Sequence, residues 1–163
     1  MTIDSRSVAA FTRLIESYAG PIRRLCAVYA ADPADREDLF QDICLAIWRA
    51  LPAFRGDASE RTWLYRIAHN VALTWQSRTR RRQSREAPLD RDVGTGEPPG
   101  LRQFALRQAL ASLSDGDRTL TVLWLEGLTA GEIETVTGLK AATVAVRLSR
   151  IRKALATREV KHA

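Results

Sequence analysis

The sequence predicts an all-α protein: two small helical domains joined by a flexible linker, the second built around a helix-turn-helix. Three observations predict it. Apolar residues recur three and four apart in both halves of the 163-residue chain, with no strand-like alternation anywhere. Residues 87–101 break that periodicity with Pro88, Gly94, Gly96, Pro98, Pro99 and Gly100. Beyond the break, a capping signal and a well-placed glycine frame a short helix followed by a longer one. The expected divisions are therefore 1–86, 87–101 (linker) and 102–163.

The first helix carries Phe11, Leu14, Ile15 and Tyr18, then Ile22, Leu25 and Cys26, on one face. Pro21 is expected to kink or interrupt it, because proline lacks an N–H and clashes with the preceding turn. Asp32-Pro33-Ala34-Asp35 is a helix start, with Asp32 as cap, Pro33 in the first turn and Asp35 at the positive end of the dipole. The helix it opens places Leu39, Phe40, Ile43, Cys44, Ile47, Trp48 and Leu51 on one stripe and ends near Pro52. Phe54 to Ser59 is a loop, and Asp57 or Ser59 caps the third helix. That helix holds Trp63, Leu64, Ile67, Ala68, Val71 and Trp75, and it runs on into Arg78-Thr79-Arg80-Arg81-Arg82.

After the linker, helices resume near Arg102. Ser114-Asp115-Gly116-Asp117 opens one through Leu120, Leu123, Trp124 and Leu125, and Gly127 ends it. Thr129-Ala130-Gly131-Glu132 is a capping box for a short helix to Val136. Gly138 stands where the turn requires positive φ, and Leu139 packs inward. The last helix, Ala141 to about Ala156, has Val144, Leu148, Ile151 and Leu155 as its apolar stripe. Lys140, Thr143, Arg147, Arg150, Arg152 and Lys153 occupy its other faces. A helix of this kind fits the major groove, its first half near base edges and its arginines near phosphates.

Composition narrows the function. The chain has 25 Lys+Arg against 19 Asp+Glu, a formal net charge of +6. Nearly all the cations are arginine, which suits bidentate contacts to phosphate and guanine. Cys26 and Cys44 fall in apolar patterns and read as two buried thiols in a reducing compartment. With only His69 and His162 besides, no metal site and no cofactor are expected. There is no Gly-rich phosphate loop, nucleophile motif or His-carboxylate cluster, so no enzyme is expected. The N-terminus lacks a signal-like apolar run, and no stretch approaches the roughly 18 apolar residues of a membrane span. A cytoplasmic protein without membrane insertion is the expectation.

Three segments are more specific. Asp35-Arg36-Glu37-Asp38-Leu39-Phe40-Gln41-Asp42, ending near Trp48, resembles the segment by which bacterial sigma factors bind the clamp helices of RNA polymerase. Phe54-Arg55-Gly56-Asp57-Ala58-Ser59 and the string Thr62-Trp63-Leu64-Tyr65-Arg66-Ile67-Ala68-His69-Asn70 resemble the family's promoter-melting and −10 element. Glu126-Gly127-Leu128-Thr129 with the helix-turn-helix resembles its −35 reader. The module order and the linker are similar to the compact, extracytoplasmic-function group.

The resemblance implies a sigma factor that joins core RNA polymerase, recognises −10 and −35 elements, helps open the promoter and is controlled by an anti-sigma factor. It implies polymerase contacts from Asp35, Glu37, Asp38, Leu39, Gln41, Asp42 and Trp48 to the large subunit's clamp helices. For −10 DNA it implies Arg55, Asp57, Ser59, Thr62, Tyr65, Arg66, His69, Asn70, Arg78, Arg80 and Arg81. For −35 DNA it implies Lys140, Thr143, Arg147, Arg150, Arg152 and Lys153. The chain departs from the family pattern at Ala145 and Val146, where a basic and a small polar residue are usual, at Glu134, usually alanine, and at Thr137, usually large and apolar. Direct hydrogen-bond readout is lost at 145–146, and a thymine-methyl contact or shape readout could replace it. The competing reading is a helix-turn-helix regulator that acts without core polymerase.

Overall fold

The computed structural model describes residues 5–84 and 108–162, the side chains of 158–162 excepted; the linker expected at 87–101 lies outside the described residues. The chain divides into two compact units, Met1–Val93 and Gly94–Ala163. Among the described residues every regular element is a helix.

The first unit holds α1 (Ser5–Tyr29), α2 (Pro33–Ala50), a 3-10 turn (Leu51–Ala53) and α3 (Glu60–Gln83), with each long helix packed on the other two. Its core draws on the expected stripes, Leu14, Ile22, Leu25 and Cys26 from α1, Leu39, Ile43 and Ile47 from α2 and Leu64 and Ala68 from α3, joined by Tyr65, which was expected on DNA. Burying one such Leu or Ile is worth about 1.5–3 kcal/mol, and truncating it to alanine costs about 2–5 kcal/mol.

Pro21 does not interrupt α1, against expectation. The residue before it is Gly20, which has no Cβ to meet the proline ring. Ile22, Leu25 and Cys26 immediately after are buried, so packing holds the second half of the helix in line.

The joints between helices are closed by side chains. Asp32 caps α2, accepting from the Ala34 N–H at 2.7 Å and the Asp35 N–H at 3.4 Å. Arg36, one turn into α2, reaches back to the end of α1, donating to the Ala30 carbonyl at 2.8 Å and the Ala31 carbonyl at 2.7 Å. Of the two candidate caps for α3 the structure uses Ser59, whose Oγ accepts from the Thr62 N–H at 3.1 Å. Asp57 lies too far upstream of Glu60, where the helix starts. Phe54 packs on Trp63, ring centroids 4.7 Å apart, and so anchors the start of the loop to the helix that follows it.

In the second unit residues 108–111 are helical, followed by α4 (Asp115–Leu125), α5 (Ala130–Thr137) and α6 (Ala141–His162). Ser114 caps α4, and Thr129 with Glu132 forms the full reciprocal box on α5. Arg118 donates to three carbonyls of the preceding segment, Leu110 at 2.9 Å, Ala111 at 3.3 Å and Leu113 at 3.1 Å. Leu120, Leu123, Leu128, Ile133, Val136, Val144 and Leu148 form the core.

Candidate functional site

On α2 the core stripe and the outer ridge are separate faces. Leu39, Ile43 and Ile47 lie four apart and are fully buried. Leu39 is therefore a core residue and presents nothing to a partner, a correction to its expected role. Trp48 is half-buried, edge-on to Phe11 with centroids 5.3 Å apart, which makes it part of the α1–α2 packing. Outward stand Asp38, Gln41 and Asp42, all exposed, with Leu45 (46% exposed) one turn beyond. Asp35, in the first turn, is half-buried. Glu37 is bridged to Arg23 of α1 by contacts of 2.5 and 3.3 Å, and this hydrogen bonding and charge hold its carboxyl below the usual range. The same guanidinium lies 3.8 Å from the Phe40 ring centroid.

On α3 the structure splits the expected −10 set. Arg55, Asp57 and Ser59 are exposed in the loop, and Arg66, Asn70, Arg78, Arg80 and Arg81 are exposed along the helix. Thr62 (3% exposed), Tyr65 (2%) and His69 (7%) are inside. They fall three and four apart, in line with Ala68 and Ala72, on the face that packs against α1 and α2. Thr62 Oγ1 accepts from Ser59 Oγ at 2.8 Å, and Tyr29 Oη and His69 Nδ1 are 2.7 Å apart. Burial lowers the His69 pKa, which disfavours the charged ring. These three residues shape the helix and do not line a strand. A groove between α2 and α3 brings Asp42, Leu45 and Arg49 opposite Asn70, Trp75 and Arg78. Leu45 and Arg49 were not anticipated; their signal is a polar-apolar pair on the α2 face away from the stripe.

In the second unit the turn between α5 and α6 is built as expected, with Gly138 at φ 78°. Glu134 and Thr137 take roles that their types alone do not announce. Glu134 is exposed, and its Oε2 accepts from the Ala141 N–H at 2.8 Å, closing the start of α6. Thr137 Oγ1 donates to the Ile133 carbonyl and accepts from the Leu139 N–H at 3.2 Å.

On α6, Val144, Leu148 and Ile151 are buried. At about 100° per residue, Arg147 and Arg152 fall on the two shoulders of that stripe. Arg147 Nε donates to Asp117 Oδ1 of α4 at 2.8 Å, with Nη2 2.6 Å from the same oxygen. Arg152 lies over the exposed Trp124 ring, 5.8 Å from its centroid. Both were expected on DNA; the structure ties them to α4 because the shoulders of the stripe face that helix. Lys140, Thr143, Arg150 and Lys153 are exposed. Cys26 and Cys44 are free thiols, and burial pushes Cys26 up to about 12. Among the described residues there is no cluster that could hold a metal ion.

Comparison with known proteins gives the following. Residues 14–83 match the family model "Sigma-70 region 2", and residues 103–155 match "Sigma-70, region 4". The chain is 31% identical over 162 residues to the RNA polymerase sigma-H factor of Pseudomonas aeruginosa, covering 90% of this chain and 84% of that protein. It is 29% identical over 167 residues to the ECF RNA polymerase sigma-E factor of Escherichia coli K12, with 90% and 84% covered. Among solved structures it resembles a sigma factor, RpoE, crystallised with the anti-sigma factor NepR from Bartonella quintana. The TM-score is 0.72 at 20% identity, covering 90% of this chain and 94% of that one, a likeness of fold.

Proposed function

This chain belongs to the extracytoplasmic-function group of RNA polymerase sigma factors, and from that premise we propose how its two units divide the work. The protein joins core RNA polymerase and directs it to particular promoters, as a non-enzymatic initiation factor. The exposed ridge of α2, Asp38, Gln41 and Asp42, meets the clamp helices of the large subunit by complementary charge. Arg55 to Ser59 forms a loop that captures a base leaving the −10 stack. Arg66 and Asn70 flank the strand, and Arg78, Arg80 and Arg81 follow its phosphates. In the second unit α6 enters the −35 major groove, with Lys140, Thr143, Arg150 and Lys153 toward DNA. Such work belongs in the cytoplasm, and no helix among the described residues is long and apolar enough to cross a membrane. An anti-sigma factor holds the protein inactive by covering these surfaces; the structurally similar RpoE of Bartonella quintana was crystallised with such a partner.

The observation that carries this reading is the order of two matched regions in one chain, the first with an exposed acidic ridge and the second with a basic helix-turn-helix. Transcription in vitro with core polymerase and a genomic promoter library tests it. Promoter-specific transcripts that appear only when the chain is added are the expected result. A chain that binds duplex DNA but never co-migrates with core polymerase would instead be a stand-alone regulator.

A further inference from the structure

We propose that Val146 is a specificity-determining residue, reading the methyl group of a thymine in the −35 element. The inference rests on α6 lying in that groove and names what it reads there. Ala142, Val146, Ser149 and Lys153 share the face of α6 opposite the buried Val144–Leu148–Ile151 stripe. On that face Val146 is the large apolar residue, and it is 51% exposed.

Folding gives no reason for a valine there. An exposed helix position favours alanine or a straight-chain residue, and β-branching at such a site lowers helix propensity. Its neighbours Ala142 and Ala145 are small and exposed, so the helix backbone can approach a surface closely at this level. A side chain as short as valine reaches a base edge only where the helix lies that close.

Two arginines of α6 have partners within the unit, Arg147 in Asp117 and Arg152 in Trp124. Glu134 fixes the start of the helix through the Ala141 N–H, and the exposed Arg150 and Lys153, one and two turns on, supply cations on the side of α6 that carries Val146. Of the groups that bases expose in the major groove, the thymine C5-methyl is the apolar one. An apolar side chain with cations on the same side of a groove-fitting helix matches that group.

The test uses the full chain assembled with core polymerase. A promoter duplex is selected from a library randomised across the −35 element and rebuilt with deoxyuridine in place of each thymidine in turn, which removes the methyl and nothing else. At one position the replacement should weaken binding about fourfold, the affinity equivalent of one buried CH2 group. Val146→Ala should show that loss already on the thymidine duplex and little more on deoxyuridine. Val146→Ser replaces both methyls by a single hydroxyl and should also lose the discrimination, whereas Val146→Thr, which keeps one methyl, should retain part of it. An enriched element that tolerates deoxyuridine everywhere, or that contains no thymine, overturns the methyl contact and leaves the −35 reading standing. A library in which no upstream sequence is enriched overturns both.

Discussion

Tyr29 and His69 meet in the core of the first unit, Oη to Nδ1 at 2.7 Å, and burial lowers the His69 pKa. An unfolded histidine titrates near 6.5, so below about pH 6.5 the unfolded chain takes up a proton that the folded chain resists. Folded stability therefore falls as pH drops through that window. Thermal melts of the full chain between pH 7.5 and 5.5 should show a decline that His69→Gln, which retains an acceptor and cannot titrate, makes shallower. Arg147 gives a second expectation at this scale. Its bond to Asp117 is about one-third exposed at both ends, so it contributes about 1 kcal/mol or less. Arg147→Ala and Asp117→Ala should cost similar, non-additive amounts and leave the salt dependence of promoter binding unchanged. A slope lowered by about 0.9 in Arg147→Ala would show instead that it neutralises a phosphate. The family resemblance implies DNA contacts for Thr62, Tyr65 and His69, and their side-chain chemistry fits that role. Their burial follows from sharing a stripe with Ala68 and Ala72, small residues that allow α3 to lie close to its neighbours. Periodicity read from large apolar residues alone does not register such a stripe.

At the scale of elements, helix starts were the most readable feature, because each start has a local chemical cause. Asp32, Ser114 and Thr129 cap as their sequence contexts indicate. The brace across the turn was not readable, since Glu134 and Ala141 are seven residues apart and a carboxylate's reach depends on how α5 and α6 cross. Replacing Glu134 by alanine leaves the Ala141 N–H without its acceptor, and should cost about 1 kcal/mol, as loss of an N-cap does. Glutamine retains a carbonyl oxygen in the same place and should recover most of it, as read by thermal melts and by −35 affinity in parallel. Pro21 shows the opposite lesson: a strong local breaker was overruled by the glycine before it and by the buried residues after it.

At the scale of the whole molecule, the two interaction functions are predicted to separate by mutation. Asp38→Arg reverses an exposed charge on α2 and should weaken co-migration with core polymerase while leaving helical content intact. Arg150→Ala should leave core binding unchanged, weaken promoter binding and flatten its salt slope by about 0.9. The modular order behind these expectations was visible in the motifs, whereas the division of labour within each helix needed the packing.

Arg36 sits among the acids of the first motif, yet its guanidinium is turned back onto the carbonyls that end α1, and Glu37 is bridged to Arg23. What remains facing out on the ridge is Asp38 and Asp42, two carboxylates with no intervening cation of their own segment. An approaching basic surface thus meets these two carboxylates on the ridge, in a protein whose net charge is +6. Over distances longer than about 8–10 Å, ordinary ionic strength screens their field. Capture of the enzyme should accordingly quicken in dilute buffer, while the lifetime of the assembled pair, governed by close contacts, changes far less.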